Sequence, residues 1–535
     1  MTETGYWFIA FALIYTFFLI GSGRLARKRA ASGNGFFVGG RNFGKWFVAV
    51  CITGLFSGSS YIAILELSYT TGISAVWYGV AETVQVLLIA FVILSPFRKK
   101  ALVTISGLIG DHFGRQVQAL AGLITAFTFP MWSVATSLAF ASALSVFTGV
   151  PFVVSVAITA LLLFFYLQFG GMWSIGFTQL SNVIVFFIML SIGTYAFFLN
   201  PGIDGITKLF EAKPAMASWT SVGIQTIVAW FGTFILNVVL AQAAFQMALS
   251  CKNEKEGQKG LLLAALIGVP LIIGAIVFGV SAAAVVPGEA RGLTAIPLYL
   301  METLPAPLTA LFFLGFWAAA LSWGAPCQFS GATSLGRDVG RAVNPKANEQ
   351  DLVRYTKWSL LLLSGLMIIF ATLRAEQSAW WNVLAWVTRN SATFAPVIAA
   401  LFWPIVTKRA ALVSLFTGAA SGLLWYHLSN WDISTFYLNT HPVWVGMIVN
   451  MTTISLITLI DARGQWKPLL RSNRSGVTAL IISAALSIYA TTAIDLLYKT
   501  GLLGMVVFFI VAGIFFSLIR FIRPTEEVLK IRKAS

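Results

Sequence analysis

The chain has 535 residues, 58% of them hydrophobic and only 10% charged, with a formal net charge of +16. Apolar runs of about twenty residues recur along its whole length, which excludes a soluble globule and implies an all-α integral membrane protein. In a soluble protein this basic balance would suggest a nucleic-acid partner; here the charges fall between the apolar runs and report orientation instead.

Roughly fifteen spans are expected on the twenty-residue criterion. They lie near 5–22, 46–67, 75–96, 118–147, 151–168, 175–199, 219–249, 260–287, 306–335, 358–374, 384–405, 411–428, 443–461, 476–497 and 502–521. Residues 1–6 carry no basic n-region, so the first span is expected to stay as an anchor. If that span leads inward, the loops on the inner side hold almost all the Lys and Arg, from Arg24 and Arg41 through Arg98, Lys252 and Arg337 to the tail. The outer loops keep only Lys208, Lys213, Arg291, Arg374 and Lys499. The positive-inside rule therefore predicts the N-terminus outside, the C-terminus in the cytoplasm, and contact with anionic lipid at most.

In the second span, Thr53-Gly54-Leu55-Phe56-Ser57-Gly58-Ser59-Ser60-Tyr61 interrupts the apolar run. Small hydroxyl residues and glycines at that depth predict a broken helix, and in secondary transporters such breaks offer carbonyl oxygens to a coupling ion and helix ends to a solute. Glu66 and Glu82 fall near or within the second and third spans. A carboxylate there is a proton-coupling candidate; otherwise Glu66 sits in water at the outer mouth and Glu82 is hydrogen-bonded. Ala135, Ala139 and Ala143, four apart, suit close helix contact. The seventh span carries Gly232, Asn237, Gln242 and Gln246. If spans two to six and seven to eleven form two units of five crossings, the second enters from the opposite face, which makes an inverted repeat. Spans two and seven are then equivalent discontinuous helices.

Arg389 is the one basic residue that falls neither in a loop nor near a span end. A guanidinium there suits a carboxylate, which it grips with two parallel hydrogen bonds; the alternative is an internal ion pair with Glu66 or Glu82. Cys51, Cys251 and Cys327 are too few for a disulfide framework. His112, His427 and His441 are scattered without metal spacing, so neither an enzyme nor a resident cofactor is expected.

Several stretches, in order, resemble the sodium/solute symporter family of sodium-coupled glucose, proline and pantothenate carriers. They are Phe36-Phe37-Val38-Gly39-Gly40-Arg41-Asn42, Gly170-Gly171-Met172-Trp173-Ser174, Gln242 and Gln246 followed by Gln258-Lys259-Gly260, Ala318-Ala319-Ala320-Leu321-Ser322 with Asp338, and Pro396 with Leu401-Phe402-Trp403 and Lys408-Arg409-Ala410. The resemblance covers roughly residues 36 to 425. It implies a LeuT-like core of five plus five helices with extra peripheral spans. On that frame 1–45 is an anchor with a basic loop, 46–405 the ten-helix transport core, and 406–535 accessory helices with a basic tail.

The resemblance also implies a sodium ion held by the backbone carbonyls of Thr53, Phe56 and Ala319 and the hydroxyl of Ser322, since such an ion needs oxygen dipoles to replace its hydration. Trp323 stands where relatives place a second hydroxyl, and Gln179 where they commonly place a carboxylate. The hydroxyl of Thr53 or Ser57 is the expected compensation. Ser57, Ser59, Ser60, Tyr61, Gln242, Gln246, Thr388 and Arg389 are the solute-binding candidates. The expected function is sodium-coupled symport of a small organic solute, a carboxylate or amino acid ahead of a neutral sugar, across the cytoplasmic membrane. The alternatives are a proton-coupled or sodium-independent carrier of the same fold, a channel, or a solute sensor.

Overall fold

The computed structural model describes residues 2–26, 32–100, 102–289, 292–373, 378–433, 435–464, 466–468 and 473–524. Helix α1 spans Glu3–Ala26 and the short α2 spans Gly33–Val38, where the Ser32 hydroxyl accepts from the Gly35 N–H at 3.0 Å. Gly39, Gly40 and Arg41 all have positive φ, which turns the chain into α3, Lys45–Thr71. Gly72 (φ +65°) turns it back into α4, Val76–Leu88, continued through a π-helical turn into α5, Leu94–Lys99.

An amphipathic helix α6, Ile105–Phe113, is capped by Thr104, and the long α7 follows at Arg115–Thr148. Next come α8, Phe152–Leu199, and α9, Gly202–Ala212. Helix α8 is bent at Gly171 (φ +48°), where a Cβ would stand 2.5 Å from the Phe36 carbonyl oxygen. The glycine pair thus separates the two spans expected at 151–168 and 175–199. Helices α10, Ile224–Asn237, and α11, Gln242–Leu249, meet at a 45° bend.

Helix α12, Glu254–Val285, starts on the Asn253 side chain, which accepts from Glu256 N–H at 2.9 Å; Glu254 and Glu256 then place charge at the favourable end of the helix dipole. Helices α13, Gly292–Thr303, and α14, Ala306–Thr333, lead through a π-helical turn to α15, Gly340–Val343, then α16, Glu349–Leu373, and α17, Ser378–Phe402. The rest comprises α18, Lys408–Leu428, α19, Pro442–Asp461, α20, Arg474–Thr492, α21, Ile494–Lys499, and α22, Leu503–Phe521. Strands β1, Trp466–Pro468, and β2, Ile522–Pro524, pair antiparallel.

Helices α7 and α14 stand at the centre, with 83% of their apolar windows enclosed, against 17% in the peripheral α20. Helix α3 lies against α12, α14 and α8, while α7 contacts α14 and α17. The large exposed side chains on the outside, such as Phe17, Phe18, Leu266 and Ile481, are apolar, as a lipid-facing surface requires.

By length and apolarity, eleven helices among the described residues are able to cross a membrane, or twelve if the bent pair α10 and α11 counts as one span. The expected fifteen is not reached on that measure. Residues 45–99 count there as one run despite the turn at Gly72, the first part of α8 is not included, and neither is α17, which carries Asn382, Thr388, Arg389, Asn390 and Ser391 among its apolar residues.

Candidate functional site

The expected break in the second span is not there. Helix α3 runs unbroken through Thr53 to Tyr61, and that face is buried in the protein rather than turned to lipid. Its glycines serve close packing instead. A Cβ on Gly58 would stand 2.9 Å from Ser322 Cβ and 3.0 Å from the Ala319 carbonyl oxygen, and one on Gly54 would collide with the Gln179 side chain. The discontinuity lies in the seventh span. Between α10 and α11 the chain leaves helical geometry at Ala241 (φ −72°, ψ 64°), with Leu240 N–H bonded to Asn237 O at 2.8 Å and Gln242 N–H to Leu240 O at 2.7 Å. The inverted repeat leads one to expect a discontinuity in this span, although residues 237–241 hold neither glycine nor proline to mark its place. Other elements secure the bend through the Gln242 side chain: its oxygen accepts from the backbone Ile105 N–H at 3.0 Å, and its amide donates to the backbone Ser330 O and to Ser334 Oγ, both at 2.9 Å.

Three of the elements expected around sodium do converge. The Ser322 hydroxyl donates to Gly54 O at 2.7 Å and touches the side-chain oxygen of Gln179, whose amide donates to Ser322 O at 2.6 Å. Ala319 O faces Gly58 across the same contact. The carbonyls of Thr53 and Phe56 sit within a continuous helix, where the N–H four residues on takes one lone pair and leaves the other. Hydroxyl, amide and carbonyl oxygens fit a monovalent cation, but none of these groups carries a negative charge.

Beside this junction is a small cavity of about 40 Å³ bounded by α3, α4, α7, α10, α11, α14 and α17. Arg389 lines it, is 2% exposed, and stacks over the Trp132 ring with 4.3 Å from its guanidinium carbon to the ring centroid. Its terminal nitrogen donates to the Asn237 side-chain oxygen, and its Nε has no partner. No carboxylate lies within 4.0 Å of it among the described residues, so the alternative ion pair with Glu66 or Glu82 is not formed. Gln85 Nε2, Trp132 Nε1 and Trp323 Nε1 line the same cavity and are likewise buried donors without partners, as is the acceptor Asn382 Oδ1. Phe129, Phe234 and Trp386 supply apolar walls.

A second cavity, of about 30 Å³, lies between α3, α4 and α12. Thr53, Ser57, Ser60 and Tyr61 line it from α3, with Glu82 and Thr83 from α4. Their positions follow the helical repeat, which puts them along one side of α3. The Ser60 hydroxyl donates to the Glu82 carboxylate, and Glu82 and Phe56 belong to the walls of both cavities.

The other candidates fall elsewhere. Glu66 is half-buried towards the far end of α3 and lines neither cavity. Thr388 returns its hydroxyl to Leu384 O at 2.8 Å and lines neither. Gln246 accepts from Ser330 Oγ at 2.5 Å, away from both, whereas Gln242 reaches the first cavity as well as pinning the bend. The Ser59 side chain lies outside the described residues, as do Arg27, Lys28, Arg29, Arg291, Arg374 and the tail beyond 524. Asn237, Asn382, Gln85 and Trp132 were missed as site residues. The signal for three of them was an amide within an apolar span; Trp132 had none.

At the end of the molecule bearing the basic loops, α3 and α11 are tied together. Phe43 N–H bonds to Ser250 O at 2.9 Å and Lys252 N–H to Phe43 O at 2.7 Å, Arg98 donates to Leu249 O at 3.1 Å, and Glu256 accepts from Lys45 N–H at 2.7 Å. Nearby, Asp338 accepts from Ser106 Oγ at 2.6 Å and pairs with Arg337 at 2.9 Å. Burial holds the neighbouring Asp111 carboxyl above its ordinary value, with Arg337 pulling the other way.

A profile described as the sodium:solute symporter family matches residues 36–418. The chain belongs to the sodium:solute symporter family. Among relatives of this symporter, the high-affinity proline transporter PutP of Bacillus subtilis (strain 168) is 24% identical over 470 residues, covering 82% of this chain and 95% of that protein. The sodium/glucose cotransporter of Vibrio parahaemolyticus is 22% identical over 451 residues, covering 75% and 82%. A solved sodium-coupled sialic acid symporter, in a substrate-bound outward-open state, superposes with a TM-score of 0.72 at 16% identity over 85% of this chain and 97% of that one. The fold is thus the LeuT-like five-plus-five inverted repeat with additional peripheral helices, and the protein is a multi-pass membrane transporter.

Proposed function

We propose that this protein is a secondary active transporter that couples sodium entry to uptake of a small organic solute bearing a carboxylate, an organic acid or an amino acid. The observation that carries the solute class is Arg389: a guanidinium enclosed at membrane depth, held by neutral and aromatic partners, facing a cavity in which no carboxylate of the described residues comes within 4.0 Å of it, Glu82 on the shared wall included. Such a charge is costly unless something pairs with it. An entering carboxylate completes it, and the unpartnered donors of Gln85, Trp132 and Trp323 stand around the same space. Asn237 and Gln242 tie the solute cavity to the bend between α10 and α11, so occupancy bears directly on the discontinuous helix.

Sodium coupling is supported by the family and by the convergence of α3, α8 and α14 at Ser322. In this reading Thr53, Phe56, Ala319, Ser322 and Gln179 supply oxygen to the ion. Ion binding steadies the contact of α3 with α14 and favours the state that accepts solute. Residues 46–405 form the transport core, 1–45 the anchor and 406–535 the accessory helices. The basic loops mark the cytoplasmic face of the cytoplasmic membrane, with the N-terminus outside. For an amino acid of zero net charge carried with one sodium ion, one charge crosses and about 100 mV contributes roughly 2.3 kcal/mol, whereas a monoanion carried with one sodium ion moves no net charge and gains nothing from the potential. A tenfold sodium gradient adds about 1.4 kcal/mol in either case, and for the amino acid the two together sustain accumulation of about several hundredfold. Saturable counterflow in proteoliposomes tests the carrier reading: exchange of labelled for unlabelled carboxylate is expected, and flux that neither saturates nor exchanges indicates a pore.

A further inference from the structure

The second cavity has a chemistry of its own. Every polar residue in its wall bears oxygen and none bears nitrogen: Thr53, Ser57, Ser60, Tyr61, Glu82 and Thr83. Helix α12 contributes only apolar residues and Gly268. Two of the oxygens, Thr53 Oγ1 and Tyr61 OH, belong to residues 2% exposed and have no hydrogen-bond partner. Glu82 is 5% exposed, and its carboxylate accepts one hydrogen bond, from Ser60. No cation of the protein lies within 4.0 Å of it among the described residues. A buried carboxylate surrounded by hydroxyls is the reverse of an anion site. It offers negative charge and lone pairs, which are what a small hard cation needs to replace its water. With a single carboxylate and neutral hydroxyls, the site suits one positive charge. Among the described residues no cluster of three or more His, Cys, Asp or Glu is available for a multivalent metal.

We propose that this cavity is a second sodium site, separate from the junction at Ser322, in which Glu82 supplies the charge and Thr53, Ser57, Ser60 and Tyr61 supply neutral oxygens. Glu82 also lines the solute cavity, so the ion held there acts on the solute side through a shared wall. Thr53 serves both ion sites, by its carbonyl at one and its hydroxyl at the other. The charge that Gln179 does not provide at the Ser322 junction is supplied here instead.

Binding of radioactive sodium to the purified full-length protein tests this without knowledge of the solute. Glu82→Gln is expected to bind one fewer sodium ion per protein than wild type, or to weaken that ion at least about tenfold. Tyr61→Phe and Thr53→Val, which remove a single oxygen each, are expected to weaken it by about threefold to tenfold. If wild type binds a single ion and Glu82→Gln loses it, this site stands and the Ser322 site fails. Unchanged stoichiometry and affinity in Glu82→Gln overturn the proposal. So does unchanged binding in both Tyr61→Phe and Thr53→Val, which decides the matter if Glu82→Gln does not fold. A wild-type protein that binds no sodium overturns it as well.

Discussion

The two cavities beside α3 share Phe56 and Glu82, yet their remaining polar groups differ: nitrogen-bearing side chains line one and hydroxyls line the other. One is ringed by Arg389 and the unpartnered N–H groups of Gln85, Trp132 and Trp323; the other presents the oxygens of Thr53, Ser57, Ser60, Tyr61 and Thr83. Three unsatisfied N–H donors, with the one unsatisfied acceptor Asn382 Oδ1, belong to the walls of one space, and the unsatisfied hydroxyls of Thr53 and Tyr61 to the walls of the other. On the proposed reading, the difference prepares the protein for two ligands of opposite charge without letting its own charges cancel. Arg389 and Glu82 line the same cavity but form no ion pair, so each stays available.

The sharpest way to break this division is Arg389→Gln. Binding of an anionic solute is expected to weaken by at least about 2 kcal/mol, roughly thirtyfold, while sodium binding and protein abundance hold. An equal loss of abundance would make Arg389 a structural residue. Next in size is Gly58→Ala, which pushes a methyl group against Ser322 and the Ala319 carbonyl. Overpacking there costs about 1–3 kcal/mol, and a lowered melting temperature together with lost uptake is expected because α3 walls both cavities; wild-type stability would show that α3 and α14 are not in close contact. Ser322→Ala removes one neutral oxygen. It should weaken sodium dependence of uptake by about 1 kcal/mol, several-fold in half-saturating concentration, and unchanged dependence removes that junction as an ion site.

The smallest effect on sodium and solute binding belongs to a residue outside both cavities. Burial pushes the His441 imidazole down to about 3 from its ordinary 6.5, and its Nδ1 accepts from Val443 N–H at 3.2 Å. The folded chain keeps this ring neutral, so its contribution is complete above about pH 6.5 and is lost as pH falls towards 3, where the unfolded chain takes up the proton first. His441→Asn should flatten that part of the melting profile and leave sodium and solute binding untouched. An identical profile in both proteins would show that the ring is accessible when folded.

Much of this was legible in the sequence because a bilayer leaves few choices. Span periodicity, the basic loops and the order of the family stretches led to the LeuT-like core, and a lone Arg389 within an apolar span marked the cavity that now contains it. The break expected in the second span was misread for a physical reason. Gly54 and Gly58 look alike whether they unwind a helix or let two helices touch, and only the Ser322 and Gln179 side chains across the gap decide for touching. Conversely, the bend after Asn237 is held by partners distant in sequence, Ile105, Ser330, Ser334 and Arg389, so residues 237–241 carry no local mark of it. Thr388 illustrates the same limit: it precedes Arg389 in the chain but turns its hydroxyl back into its own helix.

The most direct test is uptake into proteoliposomes over a panel of small acids, amino acids and sugars, with sodium and pH gradients imposed separately. Accumulation of a carboxylate-bearing solute under the sodium gradient alone, lost in Arg389→Gln, is the predicted result. Accumulation of a neutral sugar, or accumulation that follows the pH gradient and ignores sodium, would contradict it.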